Sequence, residues 1–167
     1  MRFKNKVVVV TGASLGIGFT TAKLFAEEGA KVVITGRDLK KLEAAKASIG
    51  QEVLCVQSDA GKVADLEHLY TEVAKHYGKI DAIFANAGIA QNGHLGELSE
   101  ADFDAMLNIN YKGVYFTVEK AVNHFIAHRT KPVREPKIAN GENGTYPKIL
   151  ADAGDEGDGD LLVDEDD

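Results

Sequence analysis

The sequence has one cysteine, no tryptophan and three prolines, and none of its apolar runs approaches the length that spans a membrane. A single cysteine, Cys55, cannot form an internal disulfide, which is typical of a reducing compartment. Because Cys55 lies in the apolar run 53–56, we interpret it as a buried structural thiol rather than a nucleophile. The four valines after Lys6 are too few for a signal-peptide core. We therefore expect a cytoplasmic protein that has no membrane segment.

The chain as a whole carries no excess of basic side chains. The formal net charge is −7, but residues 151–167 hold nine acidic and no basic side chains. The other 150 residues hold 19 basic and 17 acidic side chains. The acidity therefore belongs to the end of the chain, and no basic block indicates a nucleic-acid partner.

The composition changes near residue 130. All three prolines lie in 130–167, together with a glycine- and asparagine-rich cluster at 140–144. Such a stretch buries too little apolar surface to offset the entropy lost on ordering. We predict one folded domain over 1–129 and a disordered acidic tail over 130–167.

Metal ligands are not arranged as a metal site requires. His124 and His128 lie four residues apart but lack the glutamate of an H-E-x-x-H motif. The acidic run 155–160 has no register that places calcium ligands at the required positions. We expect no metal site.

Short apolar runs alternate with segments of helical periodicity, which predicts an α/β fold with a doubly wound parallel sheet. The motif Ser99-Glu100-Ala101-Asp102 is similar to a capping box and predicts a further helix start. The predicted strands are 6–11, 31–36, 52–57 and 80–85, and the other predicted helices are 16–28, 39–49, 62–77 and 112–128.

The segment 11–18, TGASLGIG, lies between the first predicted strand and the first predicted helix. Glycines in such a turn let the backbone approach a phosphate, and the unpaired N–H groups of the helix attract it. The alternative is that these glycines only permit a tight turn. The residues predicted to bind phosphate are Gly12, Ser14, Leu15, Gly16, Ile17 and Gly18.

Four features together resemble the short-chain dehydrogenase/reductase family over residues 5–128. TGASLGIG is similar to the family's T-G-x-x-x-G-x-G signature, and Asp59-Ala60 follows the third predicted strand. Asn86-Ala87-Gly88 follows the fourth, and Asn110 precedes Gly113 as in the family. The resemblance implies a Rossmann-like domain over 1–129 that binds a nicotinamide dinucleotide. It also implies that Asp59 contacts adenine and that Asn110 lies near the catalytic centre.

Each of these residues also has a simpler structural interpretation. Asp59 can instead be an ordinary turn residue at the end of a strand. Asn86 can brace the backbones of neighbouring strands without touching a ligand. Asn110 can end a helix, a position that asparagine favours.

The choice of cofactor depends on the end of the second predicted strand. A carboxylate there bonds the ribose 2′-hydroxyl of NAD(H), whereas a nearby arginine accommodates the 2′-phosphate of NADP(H). Gly36 occupies the acidic position and Arg37 follows it. The pattern favours NADP(H), with NAD(H) possible. We expect Asp38 to cap the next helix.

The family's activity is hydride transfer between the nicotinamide and a carbonyl or alcohol, and it uses a serine and a Tyr-x-x-x-Lys pair. None of the tyrosines of this chain has lysine four residues later, and no serine follows Ser99. Asn110 is the one catalytic position of the family that the chain matches. We therefore expect a truncated member, ending after about four strands, that is catalytically incompetent alone.

Two alternatives stay open. The chain could be active through a partner subunit, or it could be a non-enzymatic interaction module that forms homo- or hetero-oligomers through helix 112–128. A bare apolar edge at strand 80–85 would favour association, because exposed strand edges pair with other chains.

Overall fold

The structure, a computed structural model, describes residues 1–50, 52–91, 93–94 and 96–126. The predicted tail 130–167, its acidic run 155–160 and His128 lie outside the described residues.

Strands and helices alternate along the first 84 residues, and a long helical segment follows. All strand pairs are parallel, in the order β3-β2-β1-β4. This confirms the predicted doubly wound, Rossmann-like sheet. The elements are β1 (Val7–Thr11), α1 (Gly16–Glu27), β2 (Lys31–Gly36), α2 (Leu39–Ile49), β3 (Leu54–Gln57), α3 (Val63–Tyr77), β4 (Ala82–Phe84), α4 (Glu100–Leu107), a π-helical segment (Asn108–Gly113) and α5 (Val114–Ile126).

The valines of β1 alternate between the two faces of the sheet. Val7 and Val9 pack in one cluster with α3 and α5, whereas Val8 and Val10 pack in a second cluster with α1 and α2. All four are buried, because a parallel sheet is covered by helices on both faces. The carboxyl ends of the strands consequently meet at one edge, where the connecting loops leave the sheet.

The fourth strand is shorter than the predicted 80–85. It comprises only 82–84, because the N–H of Asn86 bonds the carbonyl of Phe84 at 3.0 Å and turns the chain away from the sheet. Within the part of the chain that the structure describes, β4 pairs only with β1 and its residues are half-buried.

The last helix, α5, begins at Val114, close to the predicted start at about 112, but it continues an earlier helical segment. The chain is helical from Glu100 through the π-helical segment into α5. A π turn holds more residues than an α turn, so the apolar pattern changes phase there and resumes only at Val114. The predicted capping box is confirmed, since Ser99 Oγ accepts from the Asp102 N–H and the Asp102 carboxylate accepts from the Ser99 N–H.

Contacts with α3 hold α5 against the sheet. The Tyr70 hydroxyl donates to the carbonyl of Thr117, and Lys120 lies 3.1 Å from the Glu67 carboxylate. Ala121 is fully buried in the same cluster. No helix of the described residues is long and apolar enough to cross a bilayer.

Candidate nucleotide-binding site

A cavity of about 290 Å³ lies at the carboxyl ends of the strands. The loops that follow all four strands contribute to its lining, as expected for the ligand crevice of an open α/β sheet. The structure brings eight of the predicted residues to this cavity: Gly12, Ser14, Leu15, Arg37, Asp59, Ala60, Ala87 and Gly88. The other five are not part of its lining: Gly16, Ile17, Gly18, Asn86 and Asn110.

The three glycines of the first loop have different surroundings. Gly12 has a φ of +65°, and a β-carbon there would lie 2.9 Å from the Ala87 Cα. A β-carbon on Gly18 would lie 2.5 Å from the Gly12 carbonyl oxygen. Gly16 has a φ of +63°, but no described atom lies within 4 Å of its β position. Gly12 and Gly18 therefore permit close packing, whereas Gly16 leaves space above the loop.

The N-terminus of α1 has the features of an anion site. Leu15 is the N-cap, none of the described side chains caps the helix, and its first turn carries no acidic residue. The first N–H groups of a helix are unpaired and lie at the positive end of its dipole. Together with the space beside Gly16, this arrangement fits a diphosphate.

At the end of β2, an exposed Arg37 follows Gly36. Asp38 is the N-cap of α2, and its carboxylate accepts from the Lys41 N–H at 3.2 Å, as predicted. Lys41 also lines the cavity, which the sequence analysis missed. Lys41 lies in the first turn of α2, three residues after the cap, and this position could have indicated that it is close to the cavity.

The loop after β3 is held by Asp59 and Gly61. The Gly61 N–H donates to Asp59 Oδ1 at 3.0 Å, so Asp59 is a turn residue as well as part of the cavity wall. Ser58, which the sequence analysis missed, also lines the cavity. Its buried hydroxyl has no hydrogen-bond partner among the described residues. An unpartnered buried hydroxyl is uncommon in folded proteins.

Asn86 connects the ends of β4 and β1. Its Nδ2 donates to the carbonyls of Thr11 at 3.0 Å and Gly12 at 3.3 Å. The Thr11 hydroxyl in turn accepts from the N–H groups of Asn86 and Ala87. Asn86 therefore braces the backbones of the neighbouring strands β4 and β1. The same bonds fix the backbone from which Ala87 and Gly88 line the cavity.

Asn110 lies inside the π-helical segment, so the alternative that it ends a helix is wrong. Its Oδ1 accepts from the Ile89 N–H at 2.9 Å, and its Nδ2 donates to the Ile89 carbonyl at 2.7 Å. Asn110 thereby holds the loop that follows β4.

A larger cavity of about 590 Å³ lies along the outer side of β3. It shares Arg37 and Asp59 with the candidate site but contains no residue of the glycine loop, so we place the nucleotide site in the smaller cavity. Cys55 lies here and is half-buried rather than buried as predicted. Burial, with the Glu43 charge, raises the pKa of its thiol to about 11, which supports a structural role. Within the described ranges, no group of three potential metal ligands occurs.

Known proteins resemble this chain in sequence. Residues 6–132 match the short chain dehydrogenase family. An uncharacterized oxidoreductase of Listeria innocua is 43% identical over 134 residues, which cover 78% of this chain and 54% of that protein. The chain spans about half the length of the curated relatives that it matches.

Solved structures agree with this assignment. A short-chain dehydrogenase/reductase from Brucella melitensis superposes with a TM-score of 0.72 at 33% identity, over 75% of this chain and 54% of that one. A 3-ketoacyl-(acyl-carrier-protein) reductase from the same organism, solved with NADH, gives 0.70 at 37% identity, over 73% and 50%. On the family match, the parallel sheet and the glycine loop together, the chain belongs to the short-chain dehydrogenase/reductase family.

Proposed function

We propose that this chain binds a nicotinamide dinucleotide in the cavity at the carboxyl ends of the strands. The observation that carries the proposal is the N-terminus of α1, which has no side-chain cap among the described residues and faces open space at Gly16. The segment 12–18 would hold the diphosphate. Asp59 and Ala60 would face the adenine, and the loop 86–88 would face the nicotinamide half. The bound cofactor would supply a carbon that donates or accepts hydride.

We further propose that the chain prefers NADP(H) to NAD(H). No carboxylate follows β2 at Gly36, and Arg37 is exposed beside the cavity. Asp38 also lines the cavity, but its carboxylate already caps α2 by accepting from the Lys41 N–H. Lys41, which also lines the cavity, adds a second cation near a 2′-phosphate.

We propose that this chain alone does not transfer hydride. The sequence has no Tyr-x-x-x-Lys pair, and the ammonium of such a lysine is what lowers the pKa of the tyrosine. Asn110 would order the loop at Ile89 without supplying a proton.

The proposal includes a cytoplasmic location, which is supported by the single unpaired Cys55.

Thermal unfolding of the purified chain with NADPH or NADH tests the proposal. A nucleotide at one hundred times its Kd should stabilise the fold by about 2.7 kcal/mol, and NADPH should act at lower concentration than NADH. A midpoint that rises with neither nucleotide would overturn cofactor binding. Oxidation of NADPH by the chain with a carbonyl substrate would overturn the absence of turnover, and Asn110→Ala would then be expected to abolish that rate.

Self-association is a second candidate function, favoured by an exposed apolar stripe along α4, the π-helical segment and α5. Its members recur about once per turn and are all exposed, so they present apolar surface that can pack against the same surface of a second copy. They are Phe103, Leu107, Tyr111, Tyr115 and Val118. Sedimentation should show a dimer that Leu107→Glu converts to a monomer. A wild-type chain that stays monomeric at high concentration would exclude this function.

A further inference from the structure

The π-helical segment carries two asparagines that bond two different loops of the cavity. Asn110 bonds Ile89, in the loop after β4. Asn108 donates from Nδ2 to the carbonyl of Gly61, in the loop after β3, at 3.2 Å. Ile109, between them, lines the cavity itself. One helical turn therefore contacts the walls at both ends of the proposed dinucleotide.

The loop after β3 packs closely against the π-helical segment. A β-carbon on Gly61 would lie 2.6 Å from Asn108 Nδ2, and one on Gly113 would lie 2.7 Å from the Ala60 carbonyl oxygen. The contact at Gly113 is with backbone, so only glycine fits there, whereas a side chain at Gly61 would displace the Asn108 carboxamide. The wide turn of a π helix is frequent at functional sites, where it moves side chains out of α-helical register.

The carboxamide of Asn108 is oriented by its own helix. Lys112 Nζ donates to Asn108 Oδ1 at 3.2 Å, which leaves Nδ2 directed at Gly61. Gly61 is then held on both sides, because its carbonyl accepts from Asn108 while its N–H donates to Asp59 Oδ1. A chain of hydrogen bonds thus runs from Lys112 through Asn108 and Gly61 to the Asp59 carboxylate.

We propose that Asn108 is a positioning residue for the adenine end of the cofactor site. It acts through Gly61: it holds the carbonyl of this residue, and the N–H of the same residue orients the Asp59 carboxylate. The inference rests on the proposed nucleotide binding, in which Asp59 faces the adenine. Loss of the Asn108 donor should therefore weaken ligands that carry adenine and leave ligands of the nicotinamide half unchanged.

The test compares two ligand halves on the full 167-residue chain. Displacement of bound NADPH, followed by nicotinamide fluorescence, gives the affinities of 5′-AMP and of nicotinamide mononucleotide. Asn108→Asp keeps the shape of the side chain but has no N–H to donate, and Asn108→Ala removes the contact. Asn123→Asp is the matched control, because it makes the same change at an exposed position of α5 that does not line the cavity.

We expect both Asn108 variants to lower the affinity for 5′-AMP about tenfold, roughly one buried hydrogen bond, and to change that for nicotinamide mononucleotide less than twofold. Asn123→Asp should change neither affinity. An unchanged 5′-AMP affinity, or an equal loss for both ligands, would overturn the positioning role while the proposed function stands. A wild-type chain that binds no NADPH overturns the proposed function, and this inference falls with it.

Discussion

Asn86 and Gly18 lie so close together that a β-carbon on the glycine would meet the Nδ2 of the asparagine at 2.6 Å. That nitrogen already donates to the carbonyls of Thr11 and Gly12, so it cannot move aside without losing hydrogen bonds. The first turn of α1 is therefore held directly against the ends of β1 and β4. The glycine loop takes its shape from this packing.

Gly18→Ala should destabilise the fold, because its new methyl group meets both the Asn86 side chain and the Gly12 carbonyl. Overpacking of this kind costs about 1–3 kcal/mol, which urea unfolding would measure. Gly16→Ala is the matched control: the β position is open, and only the positive φ costs about 1–2 kcal/mol. The diphosphate is proposed to lie in that space. Gly16→Ala should therefore weaken NADPH binding more than its small loss of folding stability would explain. Equal stability of Gly18→Ala and wild type would contradict the packing argument.

Arg37 should carry the preference for NADP(H). Arg37→Leu removes the cation proposed to bind the 2′-phosphate, so the affinity for NADPH should fall about tenfold while that for NADH stays within twofold. Lys40→Met, an equal loss of charge at an exposed position of the following helix α2, should leave both affinities unchanged. Fluorescence titration with the two nucleotides measures the ratio. An equal loss for NADPH and NADH would show that Arg37 does not read the phosphate.

A carboxylate at Gly36 should reverse the preference. A β-carbon there would lie 3.5 Å from Leu42 Cδ2, an ordinary contact, so Gly36→Asp fits without moving the core. The carboxylate would bond a 2′-hydroxyl and repel a 2′-phosphate. The same titration should then give tighter binding of NADH than of NADPH. Retention of the NADPH preference would place the ribose away from the end of β2.

The sheet and the glycine loop could be predicted from the sequence because their signals are local. Val7 to Val10 form an apolar run buried on both faces, and the loop follows it directly. The roles of Asn86 and Asn110 were harder to assign, since each depends on a partner distant in sequence. Asn110, for example, bonds Ile89, and only the folded chain brings the two together.

Lys41, Ser58 and Asn108 were missed for physical reasons. Lys41 follows a residue that was interpreted as a cap, and a lysine on a surface helix is usually solvated. Ser58 is notable only once its burial is known. Asn108 lies in a π turn, where the α-helical period that guides sequence interpretation does not apply.

Asp81 should make stability depend on pH. Partial burial by itself raises the pKa of Asp81, but hydrogen bonds from Lys79, the Val7 N–H and Lys6 together outweigh it and hold that pKa below its usual range. A lowered folded-state pKa stabilises the fold above the unfolded pKa of about 3.9, and the stabilisation is lost as the pH falls through the folded-state pKa. Asp81→Asn should lower the free energy of unfolding by about 1–3 kcal/mol at pH 7. This difference from wild type should shrink as the pH falls below the unfolded pKa of about 3.9.

Urea unfolding as a function of pH measures this difference. Asp104→Asn is the control, because Asp104 is exposed and its carboxylate makes no ion pair within the described part of the chain. It should change the free energy of unfolding by less than about 0.5 kcal/mol at any pH. A difference between Asp81→Asn and wild type that stays constant down to pH 2 would show that the carboxylate charge is not what stabilises the fold.

Cys55 should react slowly with thiol reagents while the chain is folded. Burial is the main reason that its pKa rises to about 11, and the Glu43 charge adds to it while Lys46 opposes it. The reactive species is the thiolate, so the folded chain should react about 100-fold more slowly than the unfolded chain near neutral pH. Because the sequence has one cysteine, Ellman's reagent reports on this thiol alone.

Two charge variants near Cys55 separate electrostatics from access. Glu43→Gln removes a charge that raises the thiol pKa, so it should speed the reaction, whereas Lys46→Met should slow it. Both side chains lie on α2, and neither change should alter the fold, which the unfolding midpoint would check. If reagent access through local opening set the rate, the two variants would react alike. Opposite shifts would show that the charges on α2 control the thiolate population of Cys55.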